Sequence, residues 1–478
     1  MKKLWIWITL NFVLHVFFMN RPPNSLHTWR QCSTLAVARN FYEESMNIFK
    51  PRVDNRGLSD GVTGMQFPSL EYLFAIVYHI TGEKYWIARF LTWCIFVAGV
   101  IGLYLWVNEW LQSKPIAYYT AVIFLFIPEL FFHCINPLPD ILALSASIWA
   151  LYFYQRFNQN RTWKNVLICT FFATLAGLTK IQYLAIGFFM VTIFFISWQT
   201  YTYKDILKLT VLGICSVVVP LSWYRHAVYL IRTSGLYDFG IEFRPAKETK
   251  LIVEILEKNI ISDLPELLLG FSSFVLFVYG LIRIKEVIKQ RKYFLPILVW
   301  SIALLIYHFV ELTQMKYHEY YMLPYTIVLS TIAGWGMYKL SQHTVKGLRY
   351  LAYLCFYLVP VVAIIRIYPA RWLTDSHLLP DELYYEQSRQ ILRQSVPDQS
   401  LCIVGPDASG AIFFYMLHKK GFAILDCHRA VEEFEKHKSY AQYLYWYEKE
   451  CVLPEQIRSQ LKVVRSVGNF TVYKISSN

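Results

Sequence analysis

Residues 67–81, FPSLEYLFAIVYHIT, decide how this chain is built. They are apolar but short, and they carry Glu71. A helix that crosses a bilayer needs about 20 mostly apolar residues. If the segment crossed, Lys2 and Lys3 would face the opposite side from the basic links at 156–164, 283–292 and 339–349. If it does not cross, those lysines share a side with Arg156, Arg161, Lys164, Arg283, Lys285, Lys289, Arg291, Lys292, Lys339, Lys346 and Arg349. Basic short links mark the cytoplasmic side. The segment is therefore expected as a juxtamembrane helix lying in the outer interface.

Working outward, apolar runs stand near 4–20, 86–107, 116–134, 138–155, 163–179, 182–198, 206–227, 264–284, 293–312, 320–340 and 348–368. Stretches 90–107, 181–203 and 320–338 contain no Asp, Glu, Lys or Arg. The expectation is an α-helical polytopic membrane protein of about eleven transmembrane helices. The first run is no cleavable signal, because no small-residue site precedes Arg21-Pro22-Pro23. An outer loop over about 21–85 follows it, holding juxtamembrane helices. The N-terminus is expected in the cytoplasm of a plasma (inner) membrane protein, and eleven crossings leave the C-terminus outside.

Composition agrees. Of 478 residues, 56% are hydrophobic and only 17% charged, against about 25% charged in soluble domains. The net charge of +13 lies wholly in residues 1–369, since 370–478 carry 13 basic and 13 acidic residues. Positive charge spread through short membrane links does not make a nucleic-acid face. Nine cysteines, none in a CxxC pair, give neither a disulfide framework nor a zinc site.

The chain divides into a membrane domain, 1–369, and a tail, 370–478. In the tail, 381–395 reads as an amphipathic helix and SLCIV as a strand. SGAIFFYMLHKKG reads as a helix closed by Gly421, followed by FAIL as a strand. KVVRSV and FTVYKI form a hairpin around Gly468-Asn469. This makes a small extracytoplasmic α/β domain. It lacks GxGxxG and is assigned no dinucleotide site.

Polar residues collect at the expected outer rim. In SLHTWRQCSTLAVARNFYEESMNIFKPRVD, helical spacing puts His27, Arg30, Gln31 and Thr34 on one face, suited to a phosphate at headgroup depth. An interfacial helix merely meeting water would show the same pattern. Arg39 and Asn40 lie off this face and are expected to fix the helix to its surroundings. Asp140 opens a helix after Pro137 and Pro139, where it could serve the helix dipole or chemistry. Lys180 interrupts an apolar stretch from 165 to 203, and KYHEYYMLP brings Lys316, His318, Glu319, Tyr320 and Tyr321 into one turn. Ionisable groups at a membrane rim are site candidates.

In this order the motifs resemble the C-fold integral-membrane glycosyltransferases that use polyprenyl-phosphate sugars. The similarity is to the branch related to the protein O-mannosyltransferases and lipid A aminoarabinose transferases. The matching residues are HTWRQ…ARNF…Pro51-Arg52-Val53-Asp54, the 67–81 segment with Ala88-Arg89-Phe90, LPDILAL with Asp140, LTK with Lys180, and HEYYMLP. One departure stands out. Where those proteins carry an acidic residue in the first loop, this chain has Leu26-His27-Thr28, and Gln66 stands where a Glu is common.

The resemblance implies sugar transfer from a polyprenyl-phosphate donor to an acceptor hydroxyl at the outer face, for cell-envelope glycan or glycolipid assembly or modification. The acceptor is a glycan, lipid or protein. Asp140, His27 and Asp54 are the candidate bases, Arg30, Lys180 and His318 the phosphate ligands, and Gln31, Glu319 and Tyr320 the substrate contacts. No cofactor is called for, with a divalent metal left open; membrane lipids are partners and nucleic acid is not. The alternatives are a lipid-linked sugar flippase, or a polymerase or ligase using a diphosphate-linked donor.

Overall fold

The structure, a computed structural model, describes residues 1–236, 243–288, 290–373 and 379–476. Lys289, part of the 283–292 link, and residues 237–242 lie outside the described residues, as do 374–378 beside the expected domain boundary. The chain forms two compact units: Met1–Met19, Ala88–Arg225 and Ile241–Thr374, and Asn20–Ile87, His226–Gly240 and Asp375–Asn478. The first loop, assigned from sequence to the membrane domain, thus belongs with the tail.

The first unit is helical. Among the described residues of the chain, five helices are long and apolar enough to cross a membrane: Tyr85–Leu111, Ile181–Thr200, Tyr203–Ser234 (its residues 226–234 counted with the second unit), Arg291–Val310 and Lys346–Leu373. A sixth is the pair Thr249–Leu268 and Phe271–Ile282, bent by 110°. The protein is a multi-pass membrane protein. The expected count of eleven does not follow from these lengths, because several apolar runs are interrupted. Lys2–His15 is 14 residues, about 21 Å at 1.5 Å per residue, short of a hydrocarbon core of about 30 Å. The 116–134 run breaks before Pro128, giving Lys114–Leu125 and Pro128–His133. Pro128 can open the second helix but cannot supply an N–H to continue the first.

Small residues let these helices close up. A Cβ on Gly336 would stand 1.9 Å from the Leu276 carbonyl oxygen, and one on Gly334 would stand 2.2 Å from the Thr120 hydroxyl. Backbones meet there as they do at small-residue seams between membrane helices.

In the second unit, Ser69–Thr81 is a helix of 13 residues, too short to cross, as the 67–81 reading requires. It packs with Thr28–Glu43 around Val37, Phe41, Val53, Met65 and Ala75. The tail forms a five-stranded sheet from β1 (Leu401–Gly405), β2 (Lys420–Ala423), β3 (Tyr443–Tyr447), β4 (Leu461–Val467) and β5 (Phe470–Ile475), in the order β2-β1-β3-β5-β4. β1 runs parallel to β2 and β3; β5 runs antiparallel to β3 and β4. The hairpin forms as read.

Gly421 does not close a helix. Ile412–Leu417 ends earlier, at left-handed His418 (φ 54°). Gly421 sits in β2 at φ 144°, where a Cβ would lie 2.1 Å from the Cys402 carbonyl oxygen. The first loop covers the β2 edge: the Gly421 amide donates to the Asp54 carbonyl oxygen (3.1 Å), and the Gly421 carbonyl accepts from the amides of Arg56 and Gly57 (3.0 and 2.9 Å). An open strand edge is thereby closed by the chain's own backbone.

Candidate active site

Asp140 stands in the first turn of Pro139–Asn160, with Pro139 setting the helix start. The side chain is fully buried, and neither carboxylate oxygen has a hydrogen-bond partner among the described residues. One oxygen lies 3.7 Å from the Lys180 ammonium, an ion-pair distance too long for a hydrogen bond. Lys180 follows Trp163–Thr179 in extended conformation and leads into the turn Ile181–Ala185. The turn folds back because Gly177 leaves room for Leu184, whose carbons would stand 2.9 Å from a Cβ there.

The turn Glu319–Tyr325 faces this pair. The Lys180 ammonium is 4.9 Å from the Tyr321 ring centre and 5.8 Å from that of Tyr320, within cation–π range. His318 stacks on Tyr320 at 5.5 Å. Glu319 points elsewhere: it accepts from Arg371 (2.7 Å), which also donates to Glu129 (3.0 Å), and Glu129 meets His133 at 2.8 Å. All four side chains are buried. Together they pin the turn to Pro128–His133 and to the end of the last long helix. The structure thus brings Asp140, Lys180, His318 and Tyr320 into one cluster, with Glu319 as its anchor.

The sequence reading missed Glu129, His133 and Arg371, together with Glu311, which is close enough to Lys180 to feel its charge. Glu129 was visible as an acid inside an apolar run, the signal that had singled out Lys180. An apolar cleft of about 440 Å³ lies in the same unit. Leu184 lines it from the turn after Lys180, with Ala173, Met190, Phe194, Leu209 and Val217.

In the other unit, His27 precedes Thr28–Glu43 in a left-handed conformation (φ 60°). Arg30, Gln31 and Thr34 are buried, as a polar face turned away from water would be. Gln31 donates to the Asn24 carbonyl at 3.3 Å. Asp54 is engaged on both oxygens, by Arg39 (2.6 Å) and Asn40 (2.8 Å), and Arg39 also donates to the Tyr415 carbonyl at 3.0 Å. Arg39 and Asn40 fix the helix, and Asp54 is their counter-ion. Each Asp54 oxygen thus accepts one hydrogen bond from this clamp.

Residues 66–224 match the family of dolichyl-phosphate-mannose-protein mannosyltransferases. This stretch contains the 69–81 helix, Asp140 and Lys180. A search of curated proteins finds no match. Among solved structures, ArnT from Cupriavidus metallidurans superposes with a TM-score of 0.62 at 11% identity, over 98% of this chain and 97% of that one. This chain has the fold of the C-type membrane glycosyltransferases. The oligosaccharyltransferase of Archaeoglobus fulgidus gives 0.56 at 14% identity, over 93% of this chain and 67% of that one. The mycobacterial arabinofuranosyltransferase AftD gives 0.59 at 13%, over all of this chain and 40% of the other. The resemblance in the motifs is matched by the fold.

Proposed function

We propose that the protein transfers a sugar from a polyprenyl-phosphate donor to an acceptor hydroxyl at the outer face of the inner membrane, in cell-envelope glycan or glycolipid assembly or modification. The observation that carries this reading is the buried Asp140–Lys180 pair, whose carboxylate oxygens lack hydrogen-bond partners among the described residues. Buried polar groups are otherwise nearly always bonded, so such a carboxylate suits a site completed by substrate. Similar folds include ArnT bound to undecaprenyl phosphate and the archaeal oligosaccharyltransferase in complex with dolichol-phosphate.

Lys180 holds the donor phosphate and stabilises the charge that grows on it as the sugar–oxygen bond breaks. The leaving group departs as an anion and needs little protonation. The acceptor oxygen forms the new bond while its proton passes to Asp140, or to His27 if the first loop supplies the base. Direct displacement inverts the anomeric carbon. His318 and Arg30 are further phosphate ligands. Tyr320 and Gln31 contact substrate, and Glu319 acts by holding its turn in place. The lipid tail lies in the apolar cleft beginning at Leu184. A divalent metal is left open, and turnover measured with and without EDTA decides it.

The test uses purified protein in nanodiscs with a panel of polyprenyl-phosphate sugars, following donor consumption and release of lipid phosphate. Consumption that depends on Lys180 supports the reading. Movement of intact donor between leaflets without consumption would replace it with a flippase.

A further inference from the structure

The second unit contains a cavity of about 830 Å³ that the donor chemistry does not use. Its size falls within the roughly 300–1,000 Å³ of small-molecule sites. The lining combines aromatic rings with carboxylates. Trp29 comes from the first-loop helix, Tyr385 from the start of the tail and Tyr447 from the end of β3. Tyr385 leaves 59% of its surface exposed, so its ring is open to a ligand in the cavity.

The charges indicate which ligand fits. Four acids line the cavity, Asp381, Glu382, Asp407 and Glu450, against one lysine, Lys449. That balance repels a phosphate, so the donor headgroup does not belong here. Two of the acids serve the walls. Glu382 accepts from the backbone and side-chain amides of Asn469 (2.6 and 3.1 Å), and Asp407 accepts from the Ser409 hydroxyl (2.6 Å) and the Phe413 amide (3.0 Å). Asp381 and Glu450 are exposed and can accept hydrogen bonds from a ligand. Ionised carboxylates only accept hydrogen bonds, so these two acids suit O–H or N–H donors. A ring face for C–H groups, carboxylates for hydroxyls and an amide nearby form a surface for a neutral sugar.

We infer that this cavity is the acceptor site, and that the acceptor presents a neutral, polyhydroxylated glycan that stacks on Tyr385 and donates hydroxyl hydrogen bonds to Asp381 and Glu450. The inference rests on the transferase reading for the word acceptor, but the cavity's ligand is measured independently of it. His27 lines the same cavity, so a first-loop imidazole stands beside the bound glycan.

The test is direct binding, without donor, to the full-length protein in nanodiscs. The probes are maltotetraose, mannotetraose and chitotetraose, with tetralysine and inorganic phosphate as charged controls, followed by saturation-transfer NMR and calorimetry. At least one tetrasaccharide should bind, with affinity lowered tenfold or more in Tyr385→Ala and in Glu450→Gln and largely kept in Tyr385→Phe. Both residues are exposed, and unchanged melting shows that each variant folds. Binding that is equal in Tyr385→Ala, absent for every tetrasaccharide, or stronger for tetralysine or phosphate overturns the inference. Glycan binding without donor consumption on any lipid-phosphate sugar would keep the site and remove the transferase reading. Donor consumption without glycan binding would do the reverse.

Discussion

At the scale of single residues, the pair at the rim separates binding from chemistry. Asp140→Asn keeps the shape and caps a helix about as well as Asp, but it cannot take a proton at neutral pH. If Asp140 is the base, turnover falls by about 10²–10⁴-fold while donor affinity stays near that of the wild type. Full activity in this variant would pass the role to His27, for which His27→Gln is the matching measurement. Arg30→Ala removes a charge-assisted contact worth about 1.5–3 kcal/mol; an Arg30→Ala enzyme with unchanged kcat/KM would take Arg30 out of phosphate binding. Asp140 and Lys180 were legible because an ionisable group in an apolar run is conspicuous one residue at a time. Asp54 was legible only as an acid. Its partners, fourteen and fifteen positions earlier, are revealed by the fold alone. Removing one member of a buried ion pair costs about 3–5 kcal/mol. Asp54→Asn should therefore lower the melting temperature clearly while the activity per folded molecule holds. A stable but inactive Asp54→Asn would restore it as a base.

Among elements, legibility followed locality. The 67–81 helix and the β4–β5 hairpin are set by their own patterns, apolar run length in one and a Gly-Asn turn in the other. β3 was not assigned because YLYWY is buried along nearly its whole length, and a central strand buried on both faces lacks the alternation that marks a strand. Gly421 was misplaced because two conformational demands, a helix end and a close strand approach, both favour glycine. Long-range pairs between elements could not be read at all. One of these ties Glu43, at the end of the first-loop helix, to His418, 3.0 Å away. Burial raises the Glu43 carboxyl, but the hydrogen bond and charge of His418, with Arg39 and Lys420, bring it below its ordinary value of 4.5. A lowered carboxyl binds fewer protons in the folded chain than in the unfolded one, so its stabilisation is present above pH 4.5 and lost as pH falls through the folded value. The melting temperature of Glu43→Gln should thus lie below that of the wild type at pH 7, and the gap should close on acidification. A gap that stays constant to pH 3 would show that the pair contributes no charge interaction.

Across the whole molecule, length and charge make different demands. Among the described residues five or six helices meet the length and composition of a span, whereas the basic links share one side only if the shorter apolar runs cross as well. Charge bias on short links orients membrane helices strongly. Short or broken helices can also complete a crossing when neighbouring helices satisfy the freed backbone groups. At the break before Pro128 the chain keeps local bonds: Ile127 donates to the Phe124 carbonyl at 3.4 Å, and Phe131 donates to the Ile127 carbonyl at 2.7 Å. An odd number of crossings from a cytoplasmic N-terminus would put the five-stranded tail outside the cytoplasm. An alkaline phosphatase fused after residue 478 should then be active and a green fluorescent protein at the same position dark. Cysteines placed in the 156–164 and 339–349 links should react with a membrane-impermeant maleimide only after the cells are opened. An active fluorescent fusion, or links labelled in intact cells, would put the tail in the cytoplasm and remove both the outer-face reaction and the glycan cavity from the side where a lipid-linked donor is expected to be used.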